Sequence, residues 1–370
     1  MREMEQRVEE RVVKTLKHHI PRDERFGKRL KTYEQYQEWW LNNALPNLLS
    51  LTPREELDFV RQEKQDPGLR EMSEVGRKTI RGRIWDMVYN SCKKIVHTEE
   101  IVNQVFHEFC ERHAAHKRLV SSLAVAVVGS TSRMEAELTS DVDVDILFDS
   151  SFEMERTCKK WVHDRFLREV SRMALERFRY SGVNALIKDP RIYSYQEIEK
   201  ELSSGVYDHL SKLLLEGTFI IQPRRITKNL KEWKSKAQID RIIRERMNWL
   251  EYRFRQSSQD IKRGEVCPDS ARFHMLVTFH CQIKALNEGG LELARQPVWQ
   301  IADVLAQTGD ESFRSTLRKI IAKIVKAREL TVMHSDDAEE LYGLLLDLEG
   351  STGIRLLDSI GVIPPQLKLV

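Results

Sequence analysis

The chain has 370 residues, 60 of them Lys or Arg against 57 Asp or Glu, for a formal net charge of +3. Such a length fits one large domain or two to three ordinary ones with a sizeable core, and so even a charge balance makes no case by itself for a nucleic-acid partner. No apolar run approaches a bilayer span, the charged N-terminus lacks a secretory apolar stretch, and the five cysteines (Cys92, Cys110, Cys158, Cys267, Cys281) are odd in number and too scattered for a zinc site or a disulfide framework. The expectation is a cytoplasmic protein with no membrane partner.

Residues 1 to about 118 read as helical. Val8, Val12, Val13 and Leu16 recur at helical spacing over Met4 to His19. Thr32 to Leu51 carries Trp39, Trp40, Leu41, Leu45 and Leu48 and is interrupted by Pro46. Thr52-Pro53-Arg54-Glu55 has the form of a capping box with Pro at the first helical position. Gln65-Asp66-Pro67-Gly68 reads as a turn, and Thr98-Glu99-Glu100 as the start of a helix ending near His116. No catalytic motif is evident here. Trp39-Trp40 reads as core before partner face, and His107, His113 and His116 as ordinary histidines.

The chemistry concentrates in Leu123 to Phe148. Leu123 to Val128 is a β-branched apolar run, the signal of a buried strand. It ends at Gly129-Ser130, small residues that let backbone approach a ligand. Thr131 to Leu138 suits a short helix, so the Gly-Ser turn would stand at a helix N-terminus, where free N–H groups attract anions. From Asp141 to Ile146 acids and apolar residues alternate strictly, which puts Asp141, Asp143 and Asp145 on one strand face and Val142, Val144 and Ile146 on the other. Same-face neighbours are about 6.6 Å apart. Three such carboxylates are tolerable when water solvates them on an edge strand or when cations bridge them. Two divalent ions about 3.5–4 Å apart are what phosphoryl and nucleotidyl transfer use.

Gly129-Ser130-x-x-Arg133-x-Glu135-x-x-x-x-Ser140-Asp141-x-Asp143 resembles the signature of the nucleotidyltransferase superfamily related to DNA polymerase β. It is similar to the bacterial uridylyltransferases that modify PII signalling proteins and to their relatives. The resemblance implies that Asp141 and Asp143 hold two Mg²⁺ ions, with Mn²⁺ as the alternative. Gly129, Ser130 and Arg133 would hold the phosphates of an NTP, ATP or UTP. The sequence departs from the family at Ser132 and Met134, where Gly is usual, and at Asp145, where an uncharged residue is usual. Arg133 could fork onto a phosphate or pair with Glu135 or Asp141 and hold the turn.

Phe152 to Tyr180 reads as a long helix, Gly182 to Lys188 as a strand, Asp189-Pro190 as a turn, Ser194 to Gly217 as two short helices, and Thr218 to Gln222 as a further strand. The family's fold usually adds a third carboxylate from a neighbouring strand, able to bind metal or take the acceptor's proton. Glu216 and Asp145 both stand as candidates. Thr218 occupies a position where the family usually has Arg.

Pro223 to Arg246 holds nine Lys or Arg against three Asp or Glu. It could line the cleft, meet an acidic macromolecule or be a solvated face. Its sparse aromatics give nucleic-acid stacking weak support. Residues 247–370 read as helical. Breaks are expected at Gly289-Gly290, Gly350 and Gly353, and a helix 336–348 capped at Ser335. The order resembles the family's helical substrate-binding domain.

The expected fold class is therefore α+β, mostly α. A small nucleotidyltransferase mixed sheet with flanking helices (119–222) would stand between an N-terminal helical region (1–118) and a C-terminal helical bundle (223–370). The expected activity is Mg²⁺-dependent transfer of an NMP from NTP to a hydroxyl of a protein or small-molecule acceptor. The alternatives are a non-catalytic nucleotide-binding module and a nucleotide second-messenger or oligonucleotide synthase.

Overall fold

The structure, a computed structural model, describes residues 2–16, 30, 32–49, 80–113, 116–138, 140–151, 154–181, 187–262, 270–327 and 335–352. The expected capping box at Thr52, the turn at Gln65–Gly68 and the break at Gly353 lie outside them. The described chain is mostly helical with one small mixed sheet, α+β in class.

Two compact units divide it: residues 1–14 with 87–245, and residues 15–86 with 246–370. In the second unit, α1 (Arg2–Leu16) contributes its C-terminal end and α2 is Tyr33–Asn43. Thr32 closes a capping box with Gln35 at the start of α2. Trp40 is buried, donates from its indole to the Arg81 carbonyl (3.2 Å) and packs beside Trp85, so it is core. The Asn47 and Leu48 backbone N–H groups both donate to buried Asp303, at 2.9 and 2.8 Å. Segment 32–49 thus packs with helices from the other end of the sequence.

The first unit carries the sheet. The long α3 (Ile80–Arg112) crosses into it and runs unbroken through Thr98, where a new start was expected. The Thr98 hydroxyl bonds back to the Lys94 carbonyl at 2.7 Å, so it satisfies itself inside the helix instead of capping one. After α4 (Lys117–Ser122) come β1 (Ala124–Val128), α5 (Gly129–Ser132) and β2 (Val142–Phe148). A helix α6 (Glu155–Trp161), a π-helical segment Val162–Leu167 and α7 (Arg168–Ser181) form the long predicted helix and carry the chain to β3 (Ile187–Ser194). Then follow α8 (Tyr195–Ser204), α9 (Asp208–Glu216), β4 (Thr218–Ile221) and α10 (Arg224–Lys236).

The sheet order is β3-β2-β1-β4. β1 pairs antiparallel with β2 and β4, whereas β2 pairs parallel with β3, which requires the long helical crossover. All five residues of β1 are buried, as befits an interior strand written in Ala and Val. Asp189-Pro190 lies within β3, not in a turn after it. Between Asp143 and Asp145 the register shifts, because Lys188 and Arg191 face them across three steps of β3 against two of β2. A proline lacks the N–H that a regular ladder needs, and this one sits at a bulge of an edge strand, the place where that loss is tolerated.

The remaining helices are α11 (Ile239–Lys262), α12 (Ser270–Ala294), α13 (Val298–Thr308), α14 (Glu311–Ala327) and α15 (Ser335–Thr352). Gly290 kinks α12 at φ 70°, close to the expected break, while Gly350 lies inside α15, so the expected stop there is absent.

Candidate active site

Gly129 and Asp143 define the site. Val128 pairs with Asp143 across β1 and β2, so the residue after Val128 meets the Asp143 side chain. Gly129 has φ +71°, and a Cβ built on it would lie 2.2 Å from Asp143 Oδ2. Both the backbone angle and the carboxylate's approach therefore require glycine. Gly129→Ala is expected to cost about 1–2 kcal/mol in backbone strain and to push the Asp143 carboxylate out of place. Urea denaturation should read the loss as a lowered midpoint.

The predicted helix over Thr131–Leu138 shrinks to the single turn of α5. Residues 135–137 leave helical geometry, and Met134 has φ 60°. That angle favours Gly, the residue usual at this position in the family that the motif resembles. Met134 is nonetheless buried, with its sulfur 3.9 Å from that of Cys92. Ser132, at the other departure, donates its hydroxyl to the Glu216 carbonyl and lies 2.7 Å from the Thr218 hydroxyl.

Arg133 turns inward. Its Nε donates to Glu135 (3.0 Å) and an Nη lies 3.1 Å from Glu216 Oε1, with the guanidinium side chain 10% exposed. Glu216 ends α9 and is buried. Its other oxygen accepts the Gly129 N–H at 3.1 Å, a group expected to be open to phosphate. Arg133, Glu135 and Glu216 thus clamp the Gly-Ser turn to α9. Ser130 is half-buried, and its carbonyl accepts the Glu135 N–H at 2.8 Å.

The three aspartates differ in access. Asp141, just before β2, and Asp143 are partly exposed, whereas Asp145 is 2% exposed. Asp145 accepts the Tyr193 hydroxyl at 3.0 Å and has the Lys212 ammonium 3.9 Å away. Burial raises the Asp145 carboxyl pKa, opposed by Lys212 and Tyr193. Burial likewise raises that of Asp143, against Lys212, while Glu216 and Asp145 push it further up. Tyr193 also stacks on His209, which holds Glu201 through Nδ1 at 2.6 Å.

Lys212 went unnoticed in the sequence, although its spacing of four from Glu216 places both on one face of α9. Tyr193 had no local signal. Asp189 is the one acid of β3 and falls where the β2–β3 register shifts.

Among the described residues no three His, Cys, Asp or Glu side chains converge as a metal cage. Mg²⁺ does not ask for one: it is ordinarily bound by one or two carboxylates together with substrate phosphates and water. The partly exposed pair Asp141 and Asp143 fits that requirement. Asp145 and Glu216 are already engaged.

The basic helix α10 is placed otherwise. Arg225 pairs with buried Asp149, just past the end of β2 opposite Asp143. The N-terminal turn of α10 thus serves the far end of the sheet. Among the described residues, no helix is long and apolar enough to cross a membrane. In comparison with known proteins, the chain matches no protein-family model and no curated protein.

Proposed function

We propose that the chain is a Mg²⁺-dependent nucleotidyltransferase of the polymerase-β-like type, acting on a hydroxyl of a protein or small-molecule acceptor. The observation that carries this reading is the Gly129–Asp143 contact. A glycine at positive φ lets the partly exposed Asp143 carboxylate pack directly against the turn, two residues from a second carboxylate, Asp141, just before the strand.

Asp141 and Asp143 would hold the metal, which would offset the charge on the phosphates and on the leaving pyrophosphate. In the transfer the acceptor oxygen forms a bond to the α-phosphorus. The bond from that phosphorus to the α,β-bridging oxygen breaks, and its electron pair leaves on pyrophosphate. The acceptor proton passes to a base at the exposed rim of the site. The chain's own work is positioning and charge placement. Arg133 and Glu216 fix the Gly-Ser turn from behind, and Asp145, with Tyr193 and Lys212, underlies Asp143. The third carboxylate that the resemblance implies is Glu216 or Asp145, both of which are buried beside this pair.

Thermal unfolding with each NTP, with and without Mg²⁺, tests this. A triphosphate at a hundred times its dissociation constant should stabilise the protein by about 2.7 kcal/mol, only with Mg²⁺ and not in Asp141→Ala/Asp143→Ala. No shift with any NTP defeats the reading. The bond between the Gly129 N–H and Glu216 favours a second reading, a nucleotide-binding module without turnover. Under it the shift appears, but no pyrophosphate is released with any acceptor.

A further inference from the structure

The segment that joins the Gly-Ser turn to the aspartate strand, residues 134–140, is stitched at several points to one buried stretch of α3. Cys92 Sγ meets Met134 Sδ at 3.9 Å. Ser91 Oγ accepts the Ala136 N–H at 3.0 Å. Lys94, 1% exposed, donates its ammonium to the carbonyls of Leu138 (2.9 Å) and Ser140 (2.5 Å). A buried ammonium is an expensive device for holding a loop. Burial drives the Lys94 pKa down to about 8, opposed by the neighbouring Asp141 and Glu137 carboxylates.

We propose that Lys94 is a positioning residue for the metal centre: by gripping the two carbonyls just before Asp141, it sets where the Asp141 carboxylate stands relative to Asp143. This rests on the nucleotidyl-transfer reading and goes beyond it. It assigns a role in the site to the N-terminal helical region, in which the sequence shows no catalytic motif. The argument is geometric. Asp143 lies inside β2 and is located by the ladder to Val128. Asp141 precedes the strand and lacks that ladder. Its backbone is held on one side by the Thr131 hydroxyl, which donates to the Asp141 carbonyl at 3.4 Å, a long contact. On the other side is the Lys94 grip on the residue immediately before it. An ammonium carries three donors and binds both carbonyls at once, whereas a methionine side chain offers none.

The test uses the full chain and Mn²⁺ as probe, titrated by the loss of the free-ion paramagnetic resonance signal. Wild type, Lys94→Met, Lys94→Gln and Lys94→Arg are compared, each checked for cooperative unfolding. Lys94→Met should weaken Mn²⁺ binding about tenfold or more and lower turnover up to about a hundredfold at saturating nucleotide, with little change in KM. Lys94→Arg, which keeps charge and several donors, should recover most of both. Lys94→Gln should lose less than Met, and it decides the matter should the Met variant not fold. Unchanged Mn²⁺ affinity in a folded Met or Gln variant overturns the proposal, even if its melting temperature falls, because a purely structural lysine would do just that. Wild-type protein that binds neither Mn²⁺ nor any nucleotide defeats the nucleotidyl-transfer reading itself, and this one with it.

Discussion

Asp143→Asn should lower nucleotidyl transfer by about 10²–10³-fold or more and abolish the Mg²⁺-dependent stabilisation by triphosphate, while leaving the ligand-free protein at neutral pH as stable as wild type or more so. The usual cost of altering a half-buried polar residue is reversed here by charge. Burial raises the Asp143 carboxyl above its ordinary 3.8, and Glu216 and Asp145 add to the effect against the opposition of Lys212 and Arg133. A carboxyl whose folded pKa is raised binds its proton more readily in the folded than in the unfolded chain. It therefore contributes stability below the unfolded value and loses that contribution as pH rises through the folded value. At pH 7 the ionised group is a cost, and the isosteric amide removes it. Thermal melts without metal at pH 7 and at pH 5 check the sign. The variant's advantage should be larger at pH 7 and shrink on acidification. A variant clearly less stable than wild type at pH 7 would mean that the Asp143 carboxylate holds the fold instead of straining it.

Arg133→Ala should cost about 3–5 kcal/mol of folding free energy, the expected penalty when one partner of a buried ionic cluster is removed. Its Glu135 and Glu216 partners have side chains 0% and 2% exposed. Although burial opposes the guanidinium charge, these two carboxylates more than compensate and raise its pKa. Without it, two acids remain in the protein interior beside Asp143. Urea denaturation reads the loss directly. A phosphate-binding arginine with no structural duty would behave differently: stability would change by about 0.5 kcal/mol or less, and the nucleotide KM would rise. Arg133→Lys should restore a part of the stability, since a single ammonium cannot fork between Glu135 and Glu216.

Local patterns sufficed for much of the sheet and the helices around it. Ala124 to Val128 is apolar on every residue and buried on every residue, as a strand covered on both faces requires. The alternation from Val142 onward placed Asp143 and Asp145 on one face of β2, and pairing with Val128 and Ala126 agrees with that parity. The capping box of α8, with Ser194 and Glu197, and the kink at Gly290 are likewise short-range chemistry. Where local pattern failed, a distant partner decided. Asp189-Pro190 has the composition of a turn, yet the parallel ladder to β2 draws it into β3 and absorbs the proline at a bulge. Met134 adopts φ 60° although its side chain resists that angle, because its burial against Cys92 holds it there.

What the sequence by itself determined is a local pattern: a glycine at the end of a buried strand and, a short loop later, acids in period two. Parity says which face a side chain shares. It cannot say what covers that face. Tertiary structure decided how deeply each acid is buried and which groups some of them meet. Asp145 is buried under Tyr193 and Lys212, and Glu216 reaches across 87 residues to the Gly129 N–H. Arg133 is drawn inward, and Lys94, 46 residues from Ser140, grips the approach to Asp141. Burial is the physical reason. A charge withdrawn from water must find a partner, and in a folded chain that partner is supplied by whichever element packs against it, whatever their separation in sequence.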